Sequence, residues 1–275
     1  MSRPEHILPP ELYYNEQESE RYAQNSRILE IQQQLSERAY ELLGLPNDNT
    51  PRLLLDLGCG SGISGQVLAD NGNLWVGMDI SESMLRIAQH ETEEDKNCAF
   101  FLQDLGQGLP FRPGSFDGVV SVSVLQWLCN ADKKSHNPYV RIRKFFTSLL
   151  AAMTRGARAV FQFYPENAVQ IEMLSNTALK CGFGGGLVVD FPNSKKAKKY
   201  YLVLNAGYSN APLPLALGDS CADAEDVQSN KEVVQLLKHK INGQKRGGKR
   251  AKGKEWIMHK KDLARHRGKE NIPHD

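Results

Sequence analysis

The chain has 275 residues, of which 40% are hydrophobic and 24% charged, enough for one sizeable core or for one domain with a tail. Its longest apolar runs fall well short of the ~18–20 residues that a membrane span needs, so we expect no membrane partner. Five widely spaced cysteines without a CxxC pair predict neither a disulfide framework nor a metal site. A reducing compartment, the cytosol or the nucleus, fits this cysteine usage.

The net charge of +2 conceals an asymmetry along the chain. Residues 231–275 contain 14 Lys and Arg against 5 Asp and Glu, whereas residues 1–230 contain 20 against 27. An acidic body with a basic tail favours a polyanionic partner or a nuclear import signal, and "KRGGKRAKGK" (245–254) is a cluster of the import type. A tail that is merely solvated is the alternative interpretation of the same residues.

Hydrophobic periodicity first predicts a helix at 19–43, which Gly44 ends. Strands then alternate with helices, and the last two strands are close enough to form an antiparallel hairpin. We expect strands at 52–57, 74–80, 98–103, 116–125, 157–164, 185–191 and 199–207, and helices at 61–69, 81–91 (with Ser81 as N-cap), 139–153 (closed by Gly156) and 166–182.

This order predicts an α/β fold with a doubly wound, mainly parallel seven-stranded sheet of the Rossmann-like kind, ending in the antiparallel hairpin. The predicted domains are a helical N-terminal cap at 1–50, a ligand-binding domain at 51–207, a linker at 208–230 and the basic tail at 231–275.

The stretch "LLLDLGCGSG" (53–62) follows the first strand and opens a helix, the position where ligands bind in such folds. Gly58, Gly60 and Gly62 allow positive φ and a close approach of the backbone to a ligand. A glycine-rich loop alone could serve a dinucleotide, a phosphate or a tight turn. The dinucleotide fingerprint is GxGxxG, whereas here Asp56 precedes alternating glycines. A carboxylate would repel a pyrophosphate and attract the ammonium and sulfonium groups of S-adenosylmethionine.

With "LLDLGCGSG" as its first motif, the sequence resembles the class I S-adenosylmethionine-dependent methyltransferases. The second strand ends in Asp79 of "VGMDIS", which in that family accepts hydrogen bonds from the ribose hydroxyls. "QDL" follows the third strand, and the resemblance implies that Asp104 binds the adenine amino group while the Leu105 N–H meets the ring. If the ordered motifs were coincidental, Asp79 and Asp104 would be solvated loop acids.

The same resemblance implies three further cofactor contacts. Ile80 and Met84 suit packing on the adenine face, and Ser121 of "FDGVVSV" is placed to approach the methionine part of the cofactor. The domain at 51–207 is accordingly expected to bind S-adenosylmethionine.

Segments outside these motifs resemble the eukaryotic small-subunit (18S) rRNA guanine-N7 methyltransferases. That resemblance implies methyl transfer to N7 of a guanosine in 18S rRNA, a role in small-subunit biogenesis with pre-ribosomal particles as partners, and a location in the nucleus, nucleolus and cytoplasm. A small-molecule methyltransferase, or an assembly factor whose binding outweighs its catalysis, remain the alternatives. The segments are 9–35, 125–138, 163–167, 185–204 and 254–267.

Guanine N7 carries an in-plane lone pair, so its methylation needs proximity and orientation but no general base. We expect Trp127 to stack on the base, Tyr14 and Tyr164 to flank the mouth, and Asn130 to bond a base edge. Arg27 is a candidate for the cofactor carboxylate. Ordinary packing or solvent exposure is the alternative interpretation for each of these side chains.

The third predicted strand, "CAFFLQ" (98–103), has no charge and no proline, and in this fold it lies at a sheet edge. Exposed apolar edges of that kind invite aggregation unless they are covered. The family resemblance implies a cover: a small zinc-binding methyltransferase activator that forms a heterodimer by adding a strand to residues 98–103.

Overall fold

The computed structural model describes residues 3–93, 97–131, 133, 136–194, 196–207 and 213–218. The predicted basic tail and most of the predicted linker lie outside these residues. Within the described part, no helix combines the length and hydropathy that a membrane crossing requires.

The first helices precede the first strand, and they pack against helices that follow the first and second strands. The helices are α1 (Pro10–Tyr13), α2 (Glu16–Ala23), α3 (Ser26–Leu43), α4 (Ile63–Asp70), α5 (Glu82–Glu91), α6 (Leu125–Leu128), α7 (Pro138–Ala152) and α8 (Ala168–Cys181), with short 3₁₀ turns at Pro4–His6 and Leu105–Gln107.

Seven strands form one sheet in the spatial order β3-β2-β1-β4-β5-β7-β6. The first five run parallel, and β7 pairs antiparallel with both β5 and β6. The predicted doubly wound sheet with a C-terminal antiparallel hairpin is therefore confirmed. The strands are β1 (Leu53–Leu57), β2 (Leu74–Asp79), β3 (Cys98–Leu102), β4 (Phe116–Val122), β5 (Met153–Phe163), β6 (Gly184–Asp190) and β7 (Lys199–Asn205).

Two apolar cores cover the two faces of the sheet. Alternate residues of β1 point to opposite faces, so Leu54 packs in one core and Leu55 in the other. Helices α3, α4 and α5 supply the core around Leu54, while α7 and α8 supply the core around Leu55. The parallel strands all end at the same edge, which we call the carboxyl edge, and ligands bind there in folds of this kind.

Three predicted boundaries are wrong for local reasons. The helix predicted at 19–43 is two helices, because the side chain of Asn25 caps a new helix by accepting from the Ile28 N–H. β4 ends at Val122 rather than at 125, since Ser123 adopts a φ of 63°. Gly156 does not close α7; it lies inside β5, where the register with β4 shifts.

Residues 213–218 fall in the predicted linker, and they lie against the body. The Leu217 N–H donates to a carboxylate oxygen of Asp190 at 2.9 Å, and the Leu217 carbonyl accepts from the Phe191 N–H. Arg38 of α3 donates to the Leu215 carbonyl at 2.8 Å and pairs with Asp190 at 2.9 Å. This buried ion pair joins α3, β6 and the segment 213–218.

Candidate active site

The glycine-rich turn after β1 forms the floor of a cavity at the carboxyl edge. Gly58, Gly60 and Gly62 have φ values of 72°, 54° and 93°, a region that side-chain-bearing residues seldom adopt. A Cβ on Gly58 would stand 2.2 Å from Cγ2 of Val124, whereas one on Gly60 would meet no atom within 4 Å. Gly58 is therefore needed for packing, and Gly60 leaves the backbone open to a ligand.

Asp79, at the end of β2, joins the glycine turn to the start of α5. Its carboxylate accepts from the Gly60 N–H at 2.9 Å and from the Ser81 N–H at 2.8 Å. Burial raises the pKa of Asp79, and the backbone donors partly offset that effect. The carboxylate lines the cavity, held by backbone groups, where it suits a neighbouring pair of hydroxyls.

Asp104, which follows β3, also lines the cavity, and Arg141 of α7 binds it through both guanidinium NH groups at 2.9 Å. Burial acts to raise the pKa of Asp104, but Arg141 and the Gly106 N–H outweigh it, so that pKa lies below its usual value. Nε2 of His136 lies 3.5 Å from Arg141. Nδ1 of His136 and Nε of Arg141 are buried and have no hydrogen-bond partner among the described residues. A ligand bound at this end of the cavity could form hydrogen bonds with these two nitrogens.

Apolar groups separate these two carboxylates along the cavity wall. Ile80 and Met84 line one side, and Leu105 lines the side next to Asp104. Met84 is held at the start of α5, where its N–H donates to the capping Ser81 hydroxyl. A flat heterocycle fits between such walls.

The mouth of the cavity is aromatic. Trp127 of α6 lies 6.0 Å from the Tyr13 ring and 5.8 Å from the Tyr14 ring, and Tyr22 of α2 packs edge-on against Tyr14. The Tyr14 carbonyl accepts from the Ser81 hydroxyl at 2.7 Å, which fixes the N-terminal helices over α5. Burial raises the pKa values of Tyr14 and Tyr22, so both phenols stay protonated. Three of these rings, Tyr14, Tyr22 and Trp127, line the cavity.

Ser123 lines the cavity together with the glycine turn and the aromatic mouth. Its N–H and hydroxyl both donate to Oε1 of Gln162 at 3.1 Å, and its carbonyl accepts from Gln126 at 2.7 Å. These bonds hold a non-glycine residue at positive φ, a strain that persists only where the surroundings enforce it. They also fix the start of the turn that carries Trp127.

Asp56 lies under the floor and does not line the cavity. Its carboxyl is completely buried and accepts from the Ser64 hydroxyl at 2.6 Å, while its other oxygen lacks a partner among the described residues. Burial raises the pKa of Asp56 to about 7. Its expected attraction for a cationic ligand stays a prediction and would act from beneath the turn.

Besides Asp56 and Gly62, four predicted site residues do not line the cavity. Ser121 is buried, and its hydroxyl donates to the Leu57 carbonyl at 2.7 Å. The serine at the end of β4 that lines the cavity is Ser123 instead. Two others hold the N-terminal segment: Asn130 donates to the Glu5 carbonyl at 3.2 Å, and the Tyr164 carbonyl accepts from Arg3 at 2.8 Å.

Arg27 is exposed on the second residue of α3 and does not line the cavity. The cation that does line it is Arg141, whose partner Asp104 is 37 residues away in the chain. Sequence reasoning missed Arg141, His136 and Ser123, because neither a distant ion pair nor a positive φ at serine leaves a local signal.

A glycine turn at positive φ, a backbone-held acid after β2 and a second acid after β3, joined by apolar walls, define a class I S-adenosylmethionine-dependent methyltransferase. The model of the methyltransferase domain family matches residues 55–143, and that of the family described as "Methyltransferase involved in Williams-Beuren syndrome" matches residues 204–275.

Close relatives match along nearly the whole chain. An 18S rRNA (guanine-N7)-methyltransferase of Mus musculus is 49% identical over 98% of this chain and 93% of its own. An 18S rRNA (guanine(1575)-N7)-methyltransferase of Saccharomyces cerevisiae is 43% identical over 98% of this chain and 94% of its own. The chain belongs to the 18S rRNA guanine-N7 methyltransferase family, which confirms the resemblance seen in the sequence.

Solved structures share the fold at lower identity. Magnesium protoporphyrin IX methyltransferase of Synechocystis, with S-adenosylmethionine bound, superposes with a TM-score of 0.53 at 20% identity over 74% of this chain and 98% of its own. A methyltransferase in complex with the Trm112 activator of Haloferax volcanii gives 0.51 at 17% identity over 70% and 98%. The cofactor of this chain is S-adenosylmethionine, and the open Gly60 backbone and the Asp79 carboxylate fit it.

Proposed function

We propose that the chain transfers a methyl group from S-adenosylmethionine to N7 of a guanosine in 18S rRNA, during small-subunit biogenesis. The yeast relative is named for guanine 1575, and the proposed target is the equivalent guanosine. The cofactor supplies an electrophilic methyl group on sulfonium. The chain's own residues bind the cofactor, orient the guanine and exclude water.

The cofactor-binding residues divide by position. Asp79 would hold the ribose hydroxyls, and Asp104 with the Leu105 N–H would hold the adenine, between the apolar side chains of Ile80 and Met84. At the mouth, Trp127 and Tyr14 both line the cavity, and Trp127 would stack on a base that leaves the RNA stack.

The observation that carries the proposal is that every carboxylate lining the cavity is already engaged. Glu11 pairs with Lys133 at 3.1 Å, Asp79 accepts two backbone N–H groups, and Asp104 is bound by Arg141. Among the described residues, none of these carboxylates is free to act as the general base that a hydroxyl acceptor would need. His136 also lines the cavity, but its Nε2 lies 3.5 Å from Arg141, at the end occupied by Asp104. Guanine N7 attacks through its own lone pair and needs no general base.

The decisive experiment uses full-length enzyme, unmodified 18S rRNA transcript and S-adenosylmethionine labelled in its methyl group. We expect label on N7 of a single guanosine, mapped by borohydride and aniline cleavage. An Asp79→Ala variant at equal concentration is the control for cofactor-dependent labelling. Label on a base nitrogen other than N7, or on ribose, would contradict the proposal.

The partner proposed for this chain is a Trm112-type activator at the edge strand β3. In the parallel ladder the Gln103 N–H donates to the Asp79 carbonyl, and the Asn97 carbonyl accepts from the Trp75 N–H. Alternate residues of a strand face alternate sides, so Phe100 and Leu102 point their N–H and C=O groups away from β2. Within the described residues nothing pairs with these groups, and Leu102 is 57% exposed.

A matched pair of variants tests strand addition. Leu102→Pro removes the outward N–H and is tolerated on an edge strand, whereas Leu102→Ala removes only the side chain. On co-expression with the activator, we expect the Pro variant to lose the complex and the Ala variant to keep it. Equal retention by both would show that the activator does not pair with β3.

Nuclear and nucleolar localisation, with a cytoplasmic pool, is proposed from the family membership, and the basic cluster at 245–254, outside the described residues, supports nuclear import. Deletion of 231–275 from a fluorescent fusion should shift the protein from the nucleus to the cytoplasm. An unchanged nuclear signal would place the import signal elsewhere.

A further inference from the structure

The β6–β7 hairpin brings lysines to the carboxyl edge of the sheet. Between Asp190 and Lys199 the described residues 191–194 and 196–198 form the turn, and β7 runs antiparallel to β5. The first residues of β7 therefore lie beside the last residues of β5, with Tyr200 opposite Phe163. The turn projects from the same edge as the cofactor cavity.

The strand register gives the distance between this turn and the cavity. Tyr201 is opposite Gln162, and Gln162 is opposite Val122, which lines the cavity. Two strand spacings amount to ~10 Å, and the two residues from Tyr201 to Lys199 add ~7 Å along the strand. The backbone of Lys199 is thus about 12 Å from that of Val122. That distance corresponds to about three to four nucleotides at ~3.4 Å per nucleotide along a strand.

The positive charge of the hairpin is not neutralised within the described part of the chain. Lys196 is exposed, Lys198 and Lys199 are half-buried, and none of them forms an ion pair there. The nearest acid of the hairpin, Asp190, is buried and committed to Arg38 at 2.9 Å. At the other side of the mouth, by contrast, Lys133 and Arg141 are both paired with carboxylates.

Fixed contacts connect the hairpin to the mouth. The Lys199 ammonium lies 5.4 Å from the centre of the Tyr164 ring, and the Tyr164 carbonyl accepts from Arg3. From Arg3 the chain leads into Pro10 and Glu11, which line the cavity. A ligand held by the hairpin would therefore be held in register with the mouth.

We propose that the lysine hairpin docks the phosphate backbone of the RNA next to the methylated guanosine. The proposal rests on the proposed function, and it assigns to the folded body a share of RNA binding separate from that of the basic tail. Lysines that neutralise phosphates release counterions, so each contributes about 0.7 to the slope of log affinity against log salt for a single strand. Three lysines account for a slope of about 2.

The test compares full-length parent with K196Q/K198Q/K199Q, using unmodified 18S rRNA transcript as the probe and salt from about 50 to 200 mM. We expect the slope of the variant to be smaller by about 2, with a higher KM for RNA. Its kcat and its affinity for S-adenosylmethionine should equal those of the parent, because the lysines do not line the cavity.

The matched control removes three cations at the opposite edge: R112Q/R155Q/K180Q. These residues are exposed in the loop before β4, in the irregular start of β5 and at the end of α8. The control changes the net charge by the same amount, so a smaller salt slope that came only from net charge would appear in both variants. We expect the control to keep the slope of the parent.

Equal slopes for parent and hairpin variant, or an equal drop in the control, would overturn the proposal. So would an unchanged RNA slope together with weaker binding to polyglutamate, which would assign the hairpin to an acidic protein. If the parent methylates no guanosine N7 while the hairpin variant alone loses slope, the proposed function fails and the docking surface stands.

Discussion

The two ends of the cavity are built in different ways. At the cofactor end, Gly58, Gly60 and Asp79 follow directly on β1 and β2, and backbone hydrogen bonds to the Asp79 carboxylate hold them together. At the mouth, Trp127 meets Tyr13 and Tyr14, which come from a segment more than 100 residues earlier. The cofactor end is therefore fixed by the sheet, whereas the mouth exists only when the N-terminal segment is docked.

This difference predicts which measurements each end controls. Changes at the cofactor end should alter the stability of the fold together with cofactor affinity. Changes at the mouth should alter RNA methylation while cofactor affinity stays the same.

The largest effect is expected from Gly58→Ala. The new Cβ would lie 2.2 Å from Cγ2 of Val124, and the alanine would have to adopt a φ of 72°. Left-handed strain and overpacking together cost about 3 kcal/mol in the free energy of unfolding, measured with urea, and cofactor affinity should fall with it. Gly72→Ala is the control, because it has a φ of 77° but no atom within 4 Å, and should cost only about 1 kcal/mol. Equal losses in the two variants would remove Val124 from the explanation.

Asp79→Ala is expected to weaken S-adenosylmethionine binding by about 2 kcal/mol, roughly 30-fold in Kd by calorimetric titration. It leaves the ribose hydroxyls and the Gly60 N–H without an acceptor in a buried site. Asp117→Ala is a matched control, since Asp117 also accepts a backbone N–H, that of Leu53, but at the opposite edge. An unchanged Kd for the Asp79 variant would refute the ribose assignment.

The cofactor end was predictable from the sequence because its geometry is local. An acid directly after a strand, and glycines directly after another, are fixed in space once the strands are parallel. Asp79, Ile80, Met84, Asp104 and Leu105 accordingly all line the cavity, and their individual contacts with the cofactor stay a prediction.

The mouth was predicted less well because its contacts are long-range. Trp127 and Tyr14 do line it, but Asn130 and Tyr164 bind the N-terminal segment instead. Their partners, Glu5 and Arg3, lie 125 and 161 residues away, and no periodicity in the sequence reports such pairs.

Asp56 gives the cofactor end a pH dependence. Its pKa is about 7 in the folded chain against about 3.9 when exposed, so the folded state keeps a proton that the unfolded chain loses. Its contribution to stability is therefore complete below about pH 4 and falls as the pH rises towards 7. Between about pH 5 and 8 the parent should lose ~2.6 kcal/mol more unfolding free energy than Asp56→Asn. Parallel pH profiles in urea denaturation would contradict this.

Trp127→Ala should raise the KM for rRNA by about tenfold, the cost of one lost base-stacking partner at 1–2 kcal/mol. The affinity for S-adenosylmethionine should stay at the parent value, because the cofactor end is held by other elements. Trp127→Phe keeps a ring beside Tyr14 and should recover most of the loss. If the two variants bind S-adenosylmethionine more weakly while their KM for rRNA equals that of the parent, Trp127 belongs to the cofactor end. The division between the two ends would then fail.

The smallest effect is expected where the two sides of the mouth meet. Glu11 of α1 pairs with Lys133 of the α6–α7 connection at 3.1 Å, with side chains 29% and 58% exposed. An exposed pair contributes little, about 0.2–1 kcal/mol, yet this one ties the N-terminal segment to the chain that follows Trp127. A double-mutant cycle with Glu11→Gln and Lys133→Gln should give a coupling of that size in the KM for rRNA and none in cofactor affinity. At about 1 M salt, where the Debye length is near 3 Å, the coupling should vanish. A coupling that survived high salt would mean that packing, rather than charge, holds the mouth closed, and the aromatic contacts around Trp127 would then be sufficient to dock the N-terminal segment.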